Sequence, residues 1–165
     1  MSWSRLIATF FGAGLLRPAP GTWGTLAALP VAWGLHALGG FALLAVATVA
    51  AAGVGWWVTV LETRGAADPD PSEIVIDEVA GMWLALWPVS LGAALQGVAV
   101  TALWPGWVVA FAAFRAFDIL KPGPVGWADR LHSPLGVMLD DLVAGLMAAA
   151  CVVAAALIAH GVMGW

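Results

Sequence analysis

The sequence predicts an all-α fold: an integral membrane helical bundle of about five spans, preceded by a short interfacial N-terminal helix. Three observations carry that prediction. Hydrophobic residues make up 62% of the chain and charged residues only 10%, against about 25% charged in ordinary soluble domains. Asp, Glu, Lys and Arg are absent from three long tracts, Pro18 to Leu61, Val79 to Phe114 and Leu142 to Trp165, each able to hold at least one span of about 20 residues. The length of 165 residues suits a single membrane-embedded domain, 1–165, with no room for a separate soluble one.

The first element is the weakest. Met1 to Leu16 has one Arg and a short apolar core, as a signal peptide does, but Pro18 and Pro20 interrupt any small-x-small cleavage site, so the segment is expected to stay as structure. Leu6 to Leu16 is too short to cross and contains Gly12 and Gly14, which makes it interfacial or partly buried. Arg17-Pro18-Ala19-Pro20-Gly21-Thr22-Trp23-Gly24-Thr25 reads as a loop. Such a turn leading into a helix can hold a phosphate through its backbone N–H groups, although a plain Pro/Gly connection is the commoner outcome.

Thr25 to Leu38 and Gly40 to Leu61 read as two helices parted by Gly39-Gly40, with Pro30 a candidate kink in the first. A polar linker, Thr63 to Ser72, follows. Asp70-Pro71-Ser72-Glu73 offers a cap, a proline at the first helical position and an acid at the third, so a helix is expected from Ile74. It carries Asp77 and Glu78 near its start, and Gly81, four residues after Asp77, leaves that face open to a neighbour or ligand. Trp104-Pro105-Gly106 predicts a turn, Trp107 to Leu120 a span bearing Arg115 and Asp118, and Lys121-Pro122-Gly123-Pro124 its end. Gly126 to His132 reads as a short helical connector before a final helix from Leu135.

That last helix carries Asp140 and Asp141 into an apolar segment. Adjacent helical residues point about 100° apart, so both acids reach one site only if it lies between their helix and a neighbour. Ionisable groups at membrane depth are costly and mark function by default, and two like charges need a cationic partner. If Ile74 to Leu103 is one long helix bent at Pro88, it covers about 45 Å, enough for one tilted crossing. The spans then alternate so that Arg17 to Thr25, Asp77, Glu78, Asp118, Lys121, Asp140 and Asp141 share one membrane surface. Arg5, Arg17, Arg64 and Arg130 gather there too, which makes that face cytoplasmic, and Trp104, Trp107 and Trp165 mark the other.

Acids outnumber bases in this cluster: Asp77, Glu78, Asp118, Asp140 and Asp141 face Arg115 and Lys121. Hard oxygen donors without His or Cys favour Mg²⁺ or Mn²⁺ over zinc, while the bases and the Gly21-Thr22 turn remain for a phosphate. A metal bridging carboxylates and a phosphoryl group can activate water and offset transition-state charge. Plainer readings compete at several positions. Asp118 could simply pair with Arg115 or Lys121 along its own helix. Asp129 beside Arg130 reads as solvated, Glu78 as the weaker ligand, and His36, His132 and His160 as interfacial or structural. Cys151 lies in an apolar run and reads as packing. With a net charge of −4 and scattered bases, a nucleic-acid partner is excluded.

Common phosphatase signatures are missing. Cys151 has no Arg six residues on, Asp68-Pro69-Asp70-Pro71 follows a polar linker rather than a hydrophobic strand, and His132-Ser133-Pro134 does not match a histidine-nucleophile block. Nor does Asp140-Asp141-Leu142-Val143-Ala144-Gly145 continue into the repeat of the CDP-alcohol phosphotransferases.

Three blocks, in order, instead resemble the phosphatidylglycerophosphatase A family. They are Pro18-Ala19-Pro20-Gly21-Thr22-Trp23-Gly24-Thr25, then Ile74-Val75-Ile76-Asp77-Glu78-Val79-Ala80-Gly81, then Phe114-Arg115-Ala116-Phe117-Asp118-Ile119-Leu120-Lys121-Pro122 with Gly136-Val137-Met138-Leu139-Asp140-Asp141. The pattern departs at Lys121-Pro122-Gly123-Pro124 and Ser133-Pro134. The resemblance implies a Mg²⁺-dependent, multi-pass enzyme of the bacterial inner membrane, with its active site facing the cytoplasm. Its substrate would be the phospholipid phosphatidylglycerophosphate, from which it removes the terminal phosphate. Asp77, Asp118, Asp140 and Asp141 are the expected catalytic acids. Asp77, Glu78, Asp140 and Asp141 are the expected metal ligands, with Asp118 a further ligand or general base. Gly21, Thr22, Arg115 and Lys121 are expected at the phosphate. The rival readings are a small cation or proton carrier with buried carboxylates, and a helical scaffold for a lipid-enzyme complex.

Overall fold

The computed structural model describes residues 2–65 and 71–163, and every regular element among them is helical. These are α1 (Trp3–Ala8), α2 (Pro20–Thr63), α3 (Ile76–Ala85), α4 (Trp87–Gln96), α5 (Trp104–Leu120), α6 (Gly123–Asp129) and α7 (Pro134–Met163), with 3₁₀ turns at Ala13–Leu15 and Val100–Leu103. Among the described residues, Pro20–Thr63, Ile76–Gln96, Val100–Leu120 and Pro134–Gly161 are long and apolar enough to cross a membrane.

The first of these is two helices in one. At 44 residues, α2 would reach about 66 Å if straight, roughly twice a hydrocarbon core. It breaks at Gly39 (φ −151°, ψ 19°) and Gly40 (φ 62°, ψ −155°), the latter a conformation open essentially to glycine alone. The two arms then run back along each other's length. Gly24 in one and Gly55 in the other both abut the start of α3, at Val75 and Ile76. Trp87, far along the chain from those contacts, packs edge-on against Phe41 and donates its indole N–H to Thr48. Helical geometry continues through Pro30; the glycines, not the proline, make the break. Counted by arms, these make five apolar helical segments among the described residues.

α3 is the innermost element, with most of its ten residues buried, and it packs against α2, α5 and α7. Its start differs from the sequence expectation. Pro71 accepts the Ile74 N–H at 2.9 Å to close a turn, and Ala8 accepts the Val75 N–H at 2.9 Å. The helix therefore begins at Ile76 with no side-chain cap. Glu73 is drawn away to Arg5, 2.9 Å from its guanidinium; Asp70, the expected cap, lies outside the described residues, as do Asp68 and Trp165.

Nor does one helix run from Ile74 to Leu103. It bends at Leu86, just before Pro88, whose ring cannot continue the ladder. It then ends at Gln96, where Gly97 takes a left-handed conformation (φ 64°, ψ 29°). Trp104 opens α5 rather than a turn, with Pro105 in the first helical turn, where a missing N–H costs nothing. The polar connector is helical from Gly123 to Asp129, three residues earlier than expected.

Candidate active site

The acids of α3 and α7 meet because two glycines let the helices touch. A β-carbon on Gly81 would lie 2.6 Å from the carbonyl oxygen of Asp141, and one on Gly145 would fall on the carbonyl oxygen of Gly81. Each glycine follows an acid by four residues, Asp77 and Asp141, and residues four apart share a helix face. The close approach therefore sets the two carboxylates opposite each other. Asp77, Glu78 and Asp141 each offer a carboxylate oxygen, all within 4.8 Å of one another, and Asp77 and Asp141 are almost wholly buried at 4% exposure.

These groups line a cavity of about 310 Å³. Arg115 and Asp118 from α5, Lys121 just beyond it, Asp140 of α7 and Gly21 at the start of α2 line it too. Gly21 and Thr22 are not in a loop as expected: α2 starts at Pro20, so both belong to its first turn. Thr22 is not among the residues lining the cavity. No side chain caps this helix start, and uncapped first-turn amides carry partial positive charge.

Charge is distributed in three groups. Arg115 donates to Asp118 Oδ2 at 2.5 Å, three residues along the same helix. Lys121 donates through Nζ to Asp140 Oδ2 and to Asp129 Oδ1, each at 2.5 Å. Burial alone would lower the pKa of this ammonium, but the two carboxylates outweigh it and hold it above the usual lysine range. Asp140 Oδ1 also accepts the backbone N–H of Asp141 at 3.0 Å, as Asp77 Oδ1 accepts that of Glu78 at 3.0 Å. The third group is the trio of Asp77, Glu78 and Asp141; Asp140, expected to share an ion with them, bonds Lys121 and is not one of the three acids whose oxygens cluster.

That trio could hold a metal ion. Among the described residues, Glu78 Oε2 and Asp141 Oδ1 are buried with no hydrogen-bond partner, and so is the Nε of Arg115. Buried polar atoms are rarely left in that state without a ligand to meet them, and three clustered carboxylates are the hard donor set of Mg²⁺ or Mn²⁺.

Asp129, expected to be solvated beside Arg130, keeps 40% of its side chain exposed and lies outside the cavity lining, but it also holds Lys121. The cause is Lys121 itself, which sits in a left-handed conformation (φ 46°, ψ 53°) and turns α6 back over its own side chain. Each histidine, expected to be interfacial or structural, bonds a protein group away from the cavity: Nδ1 of His36 bonds Ser90 Oγ at 2.7 Å, that of His132 the Arg130 carbonyl at 2.7 Å, and that of His160 the Ala156 carbonyl at 2.6 Å.

Known proteins resemble this chain along most of its length. The family model described as phosphatidylglycerophosphatase A matches residues 6–156. A protein named phosphatidylglycerophosphatase A from Haemophilus influenzae is 35% identical over 144 residues, covering 87% of this chain and 82% of the relative. Its namesake from Escherichia coli is 35% identical over 146 residues, covering 87% and 78%. A Bacteroides thetaiotaomicron protein, provisionally named a phosphatidylinositol-3-phosphatase, is 36% identical over 148 residues, covering 86% of each. No solved structure gives a significant match. The chain belongs to the phosphatidylglycerophosphatase A family.

Proposed function

We propose that this protein hydrolyses the terminal phosphomonoester of phosphatidylglycerophosphate at the cytoplasmic face of a bacterial inner membrane, releasing phosphatidylglycerol and inorganic phosphate. The family and the names of the relatives support the reaction. One observation carries it to these residues: the same cavity holds unpartnered carboxylate oxygens of Glu78 and Asp141 and an unpartnered guanidinium nitrogen of Arg115. A site short of both a cation and an anion suits a divalent ion together with a phosphate.

In this reading Asp77, Glu78 and Asp141 hold Mg²⁺ or Mn²⁺. When bound, the ion supplies positive charge against the phosphoryl oxygens and acidifies a water. Arg115 and Lys121 bind the phosphate oxygens, each steadied by a carboxylate, Asp118 for one and Asp140 for the other. Asp140 also fixes the backbone of Asp141. The first turn of α2, where Gly21 lines the cavity, adds its helix-terminal positive potential. In the reaction a water oxygen bonds to phosphorus, the P–O bond to glycerol breaks, and the proton lost by water ends on the glycerol oxygen. The acyl chains remain among the apolar helices. Arg5, Arg17, Arg64 and Arg130 border the end of the bundle that bears the site, which supports the cytoplasmic orientation.

Purified protein in phosphatidylglycerophosphate-containing vesicles with Mg²⁺ tests this. Phosphate release that D141N abolishes is the expected result. Release equal in D77N, D141N and the parent protein would refute the site, and cation flux without release would favour the carrier.

A further inference from the structure

Lys121 is held from both sides, and only one of its holders belongs to the cavity. Asp140, on the inner side, is nearly buried, with 8% of its side chain exposed; Asp129, on α6, is 40% exposed and does not line the cavity. The fold maintains this arrangement at a cost. Lys121 adopts a left-handed backbone conformation, uncommon for any residue but glycine. Gly126 keeps α6 tight against it, since a β-carbon there would lie 2.5 Å from the Lys121 carbonyl oxygen.

An ammonium has three N–H donors. With two committed to carboxylates on opposite sides, the direction of the third is fixed, whereas a lysine tied only to Asp140 keeps most of its rotamer freedom. We infer that Asp129 is a positioning residue, which acts through Lys121 to aim the ammonium at the phosphate of the substrate. This rests on the assignment of Lys121 to phosphate made above.

The sign of the effect separates positioning from simple charge. Asp129 is an anion near an anion-binding site, so on electrostatics alone its removal tightens phosphate binding. Positioning demands the opposite. D129A is expected to raise KM for phosphatidylglycerophosphate about five- to tenfold with kcat within about twofold. D129N, which keeps an oxygen acceptor for Nζ, is expected to stay near the parent value. D129S, whose hydroxyl falls short of Nζ, serves in place of D129A should that variant not fold, with the same rise expected.

Inorganic phosphate, titrated calorimetrically against the Mg²⁺-loaded protein, gives a reading independent of turnover. Weaker phosphate binding in D129A or D129S than in the parent protein supports the inference even if the lipid is not hydrolysed, in which case only the proposed reaction fails. Unchanged or tightened KM and phosphate affinity in those variants overturns the inference while leaving an active parent enzyme untouched. Absence of phosphate binding by the parent protein overturns it as well.

Discussion

Oε1 of Glu78 fills the space where a side chain on Gly21 would stand, and Nη1 of Arg115 lies 3.3 Å from the same point. The start of α2 thus leaves room for an acid from α3 and a base from α5 to converge at the cavity.

Because both neighbours are flexible side-chain ends, G21A is expected to be tolerated by the fold and not by the site. Turnover should fall about tenfold or more as Glu78 and Arg115 are displaced, with Tm within a few degrees of the parent protein. Gly34, on the same arm with nothing within 4 Å of its would-be β-carbon, is the control: G34A should leave turnover unchanged and add up to about 1 kcal/mol of stability. Equal turnover in G21A and the parent protein would contradict the crowding.

Gly81 and Gly145 present the contrary case, since a methyl group would strike backbone at both and, at Gly81, the buried Phe114 ring as well. The carbonyl oxygens of Asp141 and Gly81 cannot swing aside, so α3 and α7 must separate. G81A and G145A are each expected to lower stability by about 1–3 kcal/mol and to reduce turnover together with Tm, measured by phosphate release and thermal unfolding. A variant that loses neither shows that the helices do not depend on this contact.

Much of this was legible from residue order alone. Charge-free tracts and the Gly39-Gly40 pair mark the crossings, and alternation of the spans predicts that acids distant in sequence share one end. Gly81 as the open face of the Asp77 helix follows from a four-residue spacing. What pattern reading lacked was tertiary competition for the same groups. Asp70-Pro71-Ser72-Glu73 has the composition of a helix start, but Arg5 takes Glu73 and Ala8 takes the Val75 N–H. Asp129 is part-solvated as its neighbours suggest, but its hold on Lys121 depends on a chain reversal at that residue, and a left-handed lysine has no signature in a sequence that offers Gly123 two residues later. The division of labour between Asp140 and Asp141 was likewise hidden, since neighbours on a helix share a depth but not a direction.

Asp141 Oδ1 is buried without a hydrogen-bond partner beside the acids of α3, so the effect of Asp141 on stability reverses with metal. In EDTA, D141N should unfold at a higher temperature than the parent protein, because one of the crowded carboxylates is gone. With Mg²⁺ the parent should gain stability by linkage and D141N should not, and its turnover should fall about 100-fold or more. A Mg²⁺-dependent rise in Tm that is the same in both proteins would place the ion elsewhere.

Lys121 has its pKa raised despite burial, by Asp129 and Asp140. A cation raised in the folded state stabilises fully below its unfolded pKa, about 10.4, and loses that contribution only as pH climbs through the folded value. The Tm difference between the parent protein and K121M should therefore be constant from about pH 7 to 9 and begin to shrink above about pH 10.4. A difference that already shrinks between pH 7 and 9 would show that the lysine is not held between two carboxylates.

The most direct measurement is the anomalous signal of Mn²⁺ in crystals of the protein soaked with that ion. A peak is expected among the carboxylates of Asp77, Glu78 and Asp141, and its loss in D141N. A peak in another part of the molecule, in crystals of protein that releases phosphate from the lipid, would contradict the convergence of α3 and α7 on a divalent ion.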